Sequence, residues 1–291
     1  MNVFIVIAVF NRKDHTLNCL RLLSEQTYQD FKVVLVDDGS TDGTSDEVKH
    51  LYPETLIVKG NGNWWWSYSM NQGFRTALNE KADVIITLND DTTIDTNWLE
   101  SLLSRHKNSP DAVIGCLNTI KKEEKYVFFS GVKDIKWYAA KEVKYHQAFT
   151  RINQSLTGIH STVCLNGRGT LIPRLAFDKI GLYDDKHFPQ YAADYDFTLR
   201  AVKKGIEVNI DWENEVSSII ESTGKGRTFI KQPLGSYLSS FFNPYASTSW
   251  KMWWHYYRRH AGVNLLIGFP IQILKLFYAY YRKRNVLEEI G

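Results

Sequence analysis

The run Val33-Val34-Leu35-Val36 ends abruptly in Asp37-Asp38-Gly39-Ser40, and no other feature narrows the fold as much. Four consecutive apolar residues, with Val on either side of Leu35, read as a strand buried on both faces, the habit of a parallel sheet. Its end carries two carboxylates to the carboxyl edge of the sheet, where open α/β folds bind their ligands. The arrangement recurs where Val84-Ile85-Ile86-Thr87-Leu88 runs into Asn89-Asp90-Asp91. Two apolar strands tipped with carboxylates suit an enzyme that holds a metal ion and a hydroxyl-rich ligand.

The surrounding pattern agrees. Strand-like runs at 3–9, 32–37, 55–58, 84–88 and 112–117 alternate with helical periodicity at 13–26, from Thr41 or Asp42 onward, at 69–79 and at 98–106. A βαβα series predicts a mostly parallel sheet with helices on both faces. Beyond Asn118 the pattern changes. Residues 126–132 and 135–138 read as an antiparallel hairpin, 161–172 as an extended run, and Pro173 as the first turn of a helix ending at Gly181. A helix over 194–204 stops at Gly205, and a short strand covers 206–210.

From about Lys231 strand signals vanish and aromatics accumulate, among them Trp250, Trp253, Trp254, Tyr256 and Tyr257. The expected organisation is a catalytic domain over 1–230 and an aromatic, basic helical extension over 231–291. The apolar stretch 263–281 has the length of a membrane span, but Pro270 and Lys275 interrupt it. A helix lying in a membrane interface fits better, and packing on the catalytic domain or on a second copy of the chain is the alternative.

The net charge of +3 gives no reason to expect nucleic acid as a partner. Cys19, Cys116 and Cys164 are far apart and show no CxxC spacing, so they read as buried thiols in a reducing, cytoplasmic compartment. The first strand begins at Val3 with no basic segment before it, so a cleaved signal peptide is not expected.

The chemistry follows from residue types. Hard divalent cations prefer oxygen ligands and are often held by one or two carboxylates plus substrate phosphates, which the Asp90-Asp91 pair could supply. The same residues also suit a turn. Asp38 can accept from a nucleobase N–H, or Asp37-Asp38-Gly39-Ser40 can serve as a helix-capping turn. Asp194 opens a helix, where the dipole favours an ionised carboxylate, and such a group facing a cleft can act as a general base. Asn166-Gly167-Arg168-Gly169 suggests close backbone approach to a ligand or a bulge. Of Trp64, Trp65 and Trp66, at least one should pack in the core while others stack on sugar.

Taken in order, Val6-Ile7-Ala8-Val9-Phe10-Asn11-Arg12, Val36-Asp37-Asp38-Gly39-Ser40-Thr41-Asp42-Gly43-Thr44 and Asn89-Asp90-Asp91 resemble family 2 glycosyltransferases with the GT-A fold. Gly60-Asn61-Gly62-Asn63-Trp64-Trp65-Trp66 with Met70-Asn71-Gln72-Gly73, and Ala193-Asp194-Tyr195-Asp196-Phe197-Thr198-Leu199-Arg200-Ala201, support the likeness, which covers about residues 1–225. The resemblance implies inverting, metal-dependent transfer from a nucleotide-diphosphate sugar to a glycan or lipid-linked acceptor, of the kind that builds bacterial cell-surface polysaccharide. The likeness is to rhamnosyltransferase-like members, so a deoxysugar donor such as dTDP-rhamnose is one candidate. By position, Ala8 and Asp38 would line the base pocket, with Asn11, Asn63 and Gly167 also on the donor. Asp90 would meet the ribose, Asp91 would ligate Mn²⁺ or Mg²⁺, and Asp194 would be the catalytic base. Arg168 or Arg227 would offset leaving-group charge. Three positions depart from the family pattern: Asn89 opens the metal motif, Ala193 replaces a usual Glu, and Glu221 stands where some members place a metal-binding His and would be a second metal ligand in its stead. The resemblance also implies a membrane-peripheral protein on the inner face of the cell membrane, with a homodimer as one further assembly. A sugar nucleotidyltransferase and a non-catalytic carbohydrate-binding protein are the competing readings.

Overall fold

A computed structural model describes residues 1–121, 124–218 and 233–288. Eight strands form the path of the main sheet. β1 (Val3–Val9), β2 (Phe31–Asp37), β3 (Leu56–Lys59) and β4 (Val84–Thr87) come first, followed by β6 (Val113–Lys121), β10 (Ile159–Ser161), β11 (Thr170–Pro173) and β12 (Val208–Ser218). Their order is β10-β12-β6-β11-β4-β1-β2-β3. β1 pairs in parallel with β2 and β4, β2 with β3, and β12 with β6, whereas β11 lies antiparallel between β4 and β6. The expected mixed α/β sheet, mostly parallel, is therefore present.

Alternation along the strands explains the layers. Val3, Ile5, Ile7 and Val9 of β1 face one core with Leu35, Ile86 and Trp98, while Phe4 and Val6 face another with Val36, Phe74 and Phe197. α1 (Lys13–Ser24) and α4 (Trp98–Asn108) bury their apolar stripes on the first face. α3 (Trp65–Asn79), α5 (Arg174–Ile180) and α6 (Ala193–Lys203) do so on the second. α2 (Thr44–Leu51) follows Gly43, whose φ of 82° lets the chain leave the acidic loop and enter the helix. It starts close to the expected Thr41 or Asp42, and Asp42 Oδ1 accepts from the Thr44 N–H at 3.1 Å.

Three local expectations need correction. Residues 126–132 and 135–138 do not pair with each other. β7 (Lys125–Phe129) returns onto β6, and β8 (Val132–Lys136) forms the real hairpin with β9 (Lys141–Lys144). Period-two patterning identifies strands but not their partners. The run 161–172 is not continuous, because β10 and β11 are separated by a loop that contains Gly167 and Gly169. α3 begins at Trp65 rather than near Ser69, so two of the three tryptophans lie on its first turn. The remaining short strand, β5 (Thr92–Thr93), pairs with the end of β12.

The C-terminal segment is helical: α7 (Leu234–Ser240), α8 (Trp250–His260) and α9 (Leu265–Glu288). Met252, Tyr256 and Tyr257 of α8 join the same apolar core as α6 and the sheet.

Candidate functional site

β1 and β4 are adjacent in the sheet although the chain makes β2 and β3 between them, so the strand order reverses at this point. That reversal opens a crevice at the carboxyl ends. Arg12 follows β1, Asp90 and Asp91 follow β4, and both carboxylates are buried, at 4% and 3% exposure. Arg12 Nε lies 2.9 Å from Asp90 Oδ2 and its Nη2 lies 3.5 Å from Asp91 Oδ2, but neither contact has the alignment of a hydrogen bond. Arg168 Nη2 lies 3.8 Å from the same Asp91 Oδ2. Asp91 Oδ1 is buried and accepts no hydrogen bond. Burial pushes the Asp90 carboxyl up to about 7; Arg12 opposes the shift and the Asp91 charge adds to it.

The loop after β2 is tied down on the other side of β1. Asn11, at φ 51°, accepts at Oδ1 from the Thr41 N–H (2.8 Å), and its own N–H donates to Ser40 Oγ (2.8 Å). Asp37 turns inward, where it accepts from the Ser40 N–H and the Ser45 hydroxyl. Asp38 accepts three backbone N–H groups: Gly62 at Oδ1 (2.9 Å), and Trp64 (2.8 Å) and Trp65 (3.1 Å) at Oδ2. Three of its roughly four acceptor sites therefore hold the Gly60–Trp66 loop. Gly60 is required there, since a Cβ would sit 2.5 Å from Asp38 Oδ1. Ala8 is half-buried on β1 opposite Val36, and Asn63 is exposed on the loop, its N–H donating to Asn61 Oδ1.

Asp194 lies on the first turn of α6, behind Ala192 in the left-handed region (φ 68°). Its Oδ2 accepts from the Gly167 N–H at 3.1 Å. The next residue along is Arg168, which reaches Asp91, so one peptide links the two carboxylates. A Cβ on Gly167 would meet Trp66 Cζ2 at 2.7 Å; the close approach this glycine permits is to an indole of the protein. Gly169, at φ 77°, likewise abuts Val216 and Cys116. Trp66 also stacks on Tyr183, at 5.6 Å between ring centroids, which supplies the expected core tryptophan. Trp65 is 41% exposed and stacks on Tyr245 at 3.9 Å.

The proposed residues thus form a continuous rim. Asn11 clamps the loop that carries Asp38, and Asp38 holds the tryptophan loop. Trp66 packs on Gly167, Gly167 binds Asp194, and Arg168 faces Asp91. Two open depressions, of about 220 and 520 Å³, flank the Asn11 clamp; Asp91 and Asp194 line neither. Glu221 and Arg227 lie outside the described residues. Among the described residues, no three His, Cys, Asp or Glu side chains gather as a ready-made cation cage, so Asp91 would need substrate oxygens beside it.

Two features escaped sequence reasoning. Arg12 stood in the first motif but was assigned no role; its place directly after a strand at the reversal point was the available signal. The second is Asp196, which is fully buried. It accepts from Arg200 Nε and Arg259 Nη1 (2.8 Å each) and lies 2.8 Å from His260 Nε2, joining α6 to α8. Its partners on α8 are more than 60 residues away, so no local pattern announces them.

Residues 4–168 match the family described as Glycosyl transferase family 2. Among curated relatives, glycosyltransferase GlyG of Streptococcus pneumoniae is 24% identical over 215 residues, covering 69% of this chain and 66% of its own length. The chain therefore spans about two thirds of that relative. Two solved structures share the fold at a TM-score of 0.59 each. GalNAc-T7, solved with UDP, GalNAc and Mn²⁺, is 16% identical, and the match covers 75% of this chain and 44% of that one. The mannosyltransferase PcManGT of Pyrobaculum calidifontis, solved with GDP-Man and Mn²⁺, is 14% identical, with 96% and 73% covered.

Proposed function

Because the chain belongs to glycosyl transferase family 2 and has the GT-A fold, we propose that it moves a sugar from a nucleotide-diphosphate donor to an acceptor hydroxyl with inversion at the anomeric carbon. One observation carries this reading: acidic groups from three separated segments, following β2, following β4 and opening α6, meet along one connected rim at the reversal point of the sheet.

The nucleoside end belongs on the β1–β2 side, beside Ala8, Asn11 and the remaining acceptor capacity of Asp38, with Asn63 and the Gly60–Trp66 loop beyond it. Asp90 sits where a ribose hydroxyl would be met. The orphaned, buried Asp91 Oδ1 suits a hard cation, and Asp91 with donor phosphate oxygens would hold Mn²⁺ or Mg²⁺. When bound, that ion would offset the charge gained by the departing diphosphate. Arg168 and Arg12 place two further positive charges beside the same carboxylates.

Asp194 takes the proton of the attacking hydroxyl as the new bond forms. The Gly167 N–H orients one of its oxygens, and the Tyr195 N–H, at 2.9 Å, orients the other. Direct displacement at the anomeric carbon needs no covalent enzyme intermediate. The three free, buried cysteines are consistent with a reducing, cytoplasmic setting.

The test is a panel of UDP-, dTDP- and GDP-sugars, measured for thermal stabilisation and for hydrolysis with Mn²⁺ or Mg²⁺. A true donor raises the melting temperature by mass action. Asp194→Asn should keep that stabilisation and lose transfer. If no sugar nucleotide stabilises or is consumed in either metal, the proposal fails.

A further inference from the structure

α9 has two unlike faces. The inner one is committed to protein. Gly268 lies so close to the Trp137 carbonyl that a Cβ would sit 2.0 Å from it, Lys275 Nζ donates to the Ala139 and Ala140 carbonyls (2.7 and 2.8 Å), and the Tyr237 hydroxyl donates to the Leu276 carbonyl (2.7 Å). Lys275, the charge that interrupts the apolar stretch, is therefore satisfied against the β8–β9 hairpin. With one face held this way, α9 cannot stand alone across a bilayer.

The outer face is apolar and bare. Leu266, Ile267, Leu274, Tyr278 and Tyr281 are 81, 58, 66, 67 and 55% exposed, and their spacing places them on one side of the helix. Only 6% of the most apolar window of Gly262–Tyr281 is buried, whereas a core helix of that composition would be mostly covered. α7 packs beside it through the stacked pairs Tyr237–Tyr280 and Phe241–Phe277. α7 and the residue pair after it expose Leu234, Leu238 and Phe242 at intervals of four, the last at 74%. Monomeric soluble proteins seldom leave adjacent apolar stripes of this kind uncovered.

Charge selects the occupant. Residues 231–291 hold eight of the 35 Lys and Arg but only two of the 32 Asp and Glu, so this segment carries net positive charge while the rest of the sequence is slightly acidic. Two copies meeting through this surface would bring like charge together. An anionic lipid surface suits both the apolar stripe and the net positive charge of the segment that bears it, and the outward tyrosines suit its headgroup level.

We propose that the outward faces of α7 and α9 seat the protein in the plane of an anionic bilayer, without crossing it. The same segment touches the rim of the site, since Tyr245, between α7 and α8, stacks on Trp65. Seating would hold the rim near the lipid surface and favour an acceptor carried on a lipid, a step that rests on the glycosyl-transfer reading.

The test is sedimentation with vesicles of phosphatidylcholine alone or mixed with phosphatidylglycerol, with no sugar nucleotide present, so its result is independent of the donor assignment. The protein should pellet with the mixed vesicles, more weakly at high salt, and poorly with phosphatidylcholine alone. Leu266→Glu with Leu274→Glu should weaken that binding about tenfold or more. Both positions are exposed, so melting temperature and donor hydrolysis should not change. Equal pelleting of the variant, or none by the unaltered protein, overturns the proposal. So does a dimer in sedimentation velocity that the same substitutions split, because the occupant would then be a second copy.

Discussion

Asp91 and Asp196 are both buried carboxylates, at 3% and 0% exposure, and both stand among arginines, yet the chain treats them in opposite ways. Asp196 is saturated: Arg200 and Arg259 donate to it and His260 lies within hydrogen-bond distance, so its charge is neutralised where the C-terminal helices dock. Asp91 sits beside another buried carboxylate, with arginines at 3.5 and 3.8 Å and one oxygen left over. A complete set of partners makes a joint. An incomplete set leaves a place for something the chain does not itself provide.

Substitutions should separate the two cleanly. Asp91→Asn should remove the cation dependence of donor turnover and lower the rate by about 10³-fold or more, because a bound ion is worth several kcal/mol at a developing charge. The melting temperature should move little. Asp194→Asn should cost about 10²–10⁴-fold in kcat while donor-induced stabilisation survives. Equal loss of binding would instead make Asp194 a donor contact. Asp196→Ala reverses the pattern. It strands Arg259 and Arg200 without their buried partner and should cost about 3–5 kcal/mol in urea unfolding. If Asp196→Ala unfolds normally, the junction is not the joint described here.

Gly167→Ala is a smaller probe of the bridge between the two sides of the site. Its new methyl must push Trp66, so about 1–3 kcal/mol of stability should be lost together with some transfer activity.

The pH response sharpens the contrast further. Burial raises Asp90 to about 7, so in the absence of a cation this group favours the folded state at low pH, and that contribution is lost as pH rises through about 7. At the junction, burial raises Asp196 and Asp184, but their hydrogen-bonding partners outweigh it, and both carboxyls lie below their usual range. Burial likewise lowers His260 despite the Asp196 charge. Those groups stabilise the fold at neutral pH and lose that contribution on acidification, His260 first and the carboxylates after it. Urea midpoints without added cation should therefore fall on acidification through the junction groups, while Asp90 opposes that trend up to about pH 7. Asp90→Asn should remove the opposing contribution and leave the acid loss in place.

The difference between the regions also governs what the sequence disclosed. β1, β2 and β4 were legible because a strand buried on both faces has to be a short unbroken apolar run, and the loops at their ends have to carry whatever the site needs. The positions of Asp91 after β4 and of Asp194 on the first turn of α6 were legible for the same reason, as polar groups at the ends of apolar or helical runs. The hairpin was misassigned because alternation says which face is buried and nothing about the neighbour. The Asp196 joint was hidden because it depends on Arg259 and His260, which reach it only once α8 has folded back. Arg12 fell between the two cases, visible in position but plain in composition.

Trp65 is held at both ends. Its amide rests on Asp38 and its indole on Tyr245, with the backbone between them at φ 60°, a left-handed conformation that costs a non-glycine residue about 1–2 kcal/mol. A tug on the carboxy-terminal helices is thus delivered, through a single strained residue, to the tip of the second strand. Displacing Tyr245 would free the indole and leave the Asp38 carboxylate as the remaining restraint on that conformation, so the carboxy-terminal helices and the second strand share a single mechanical link.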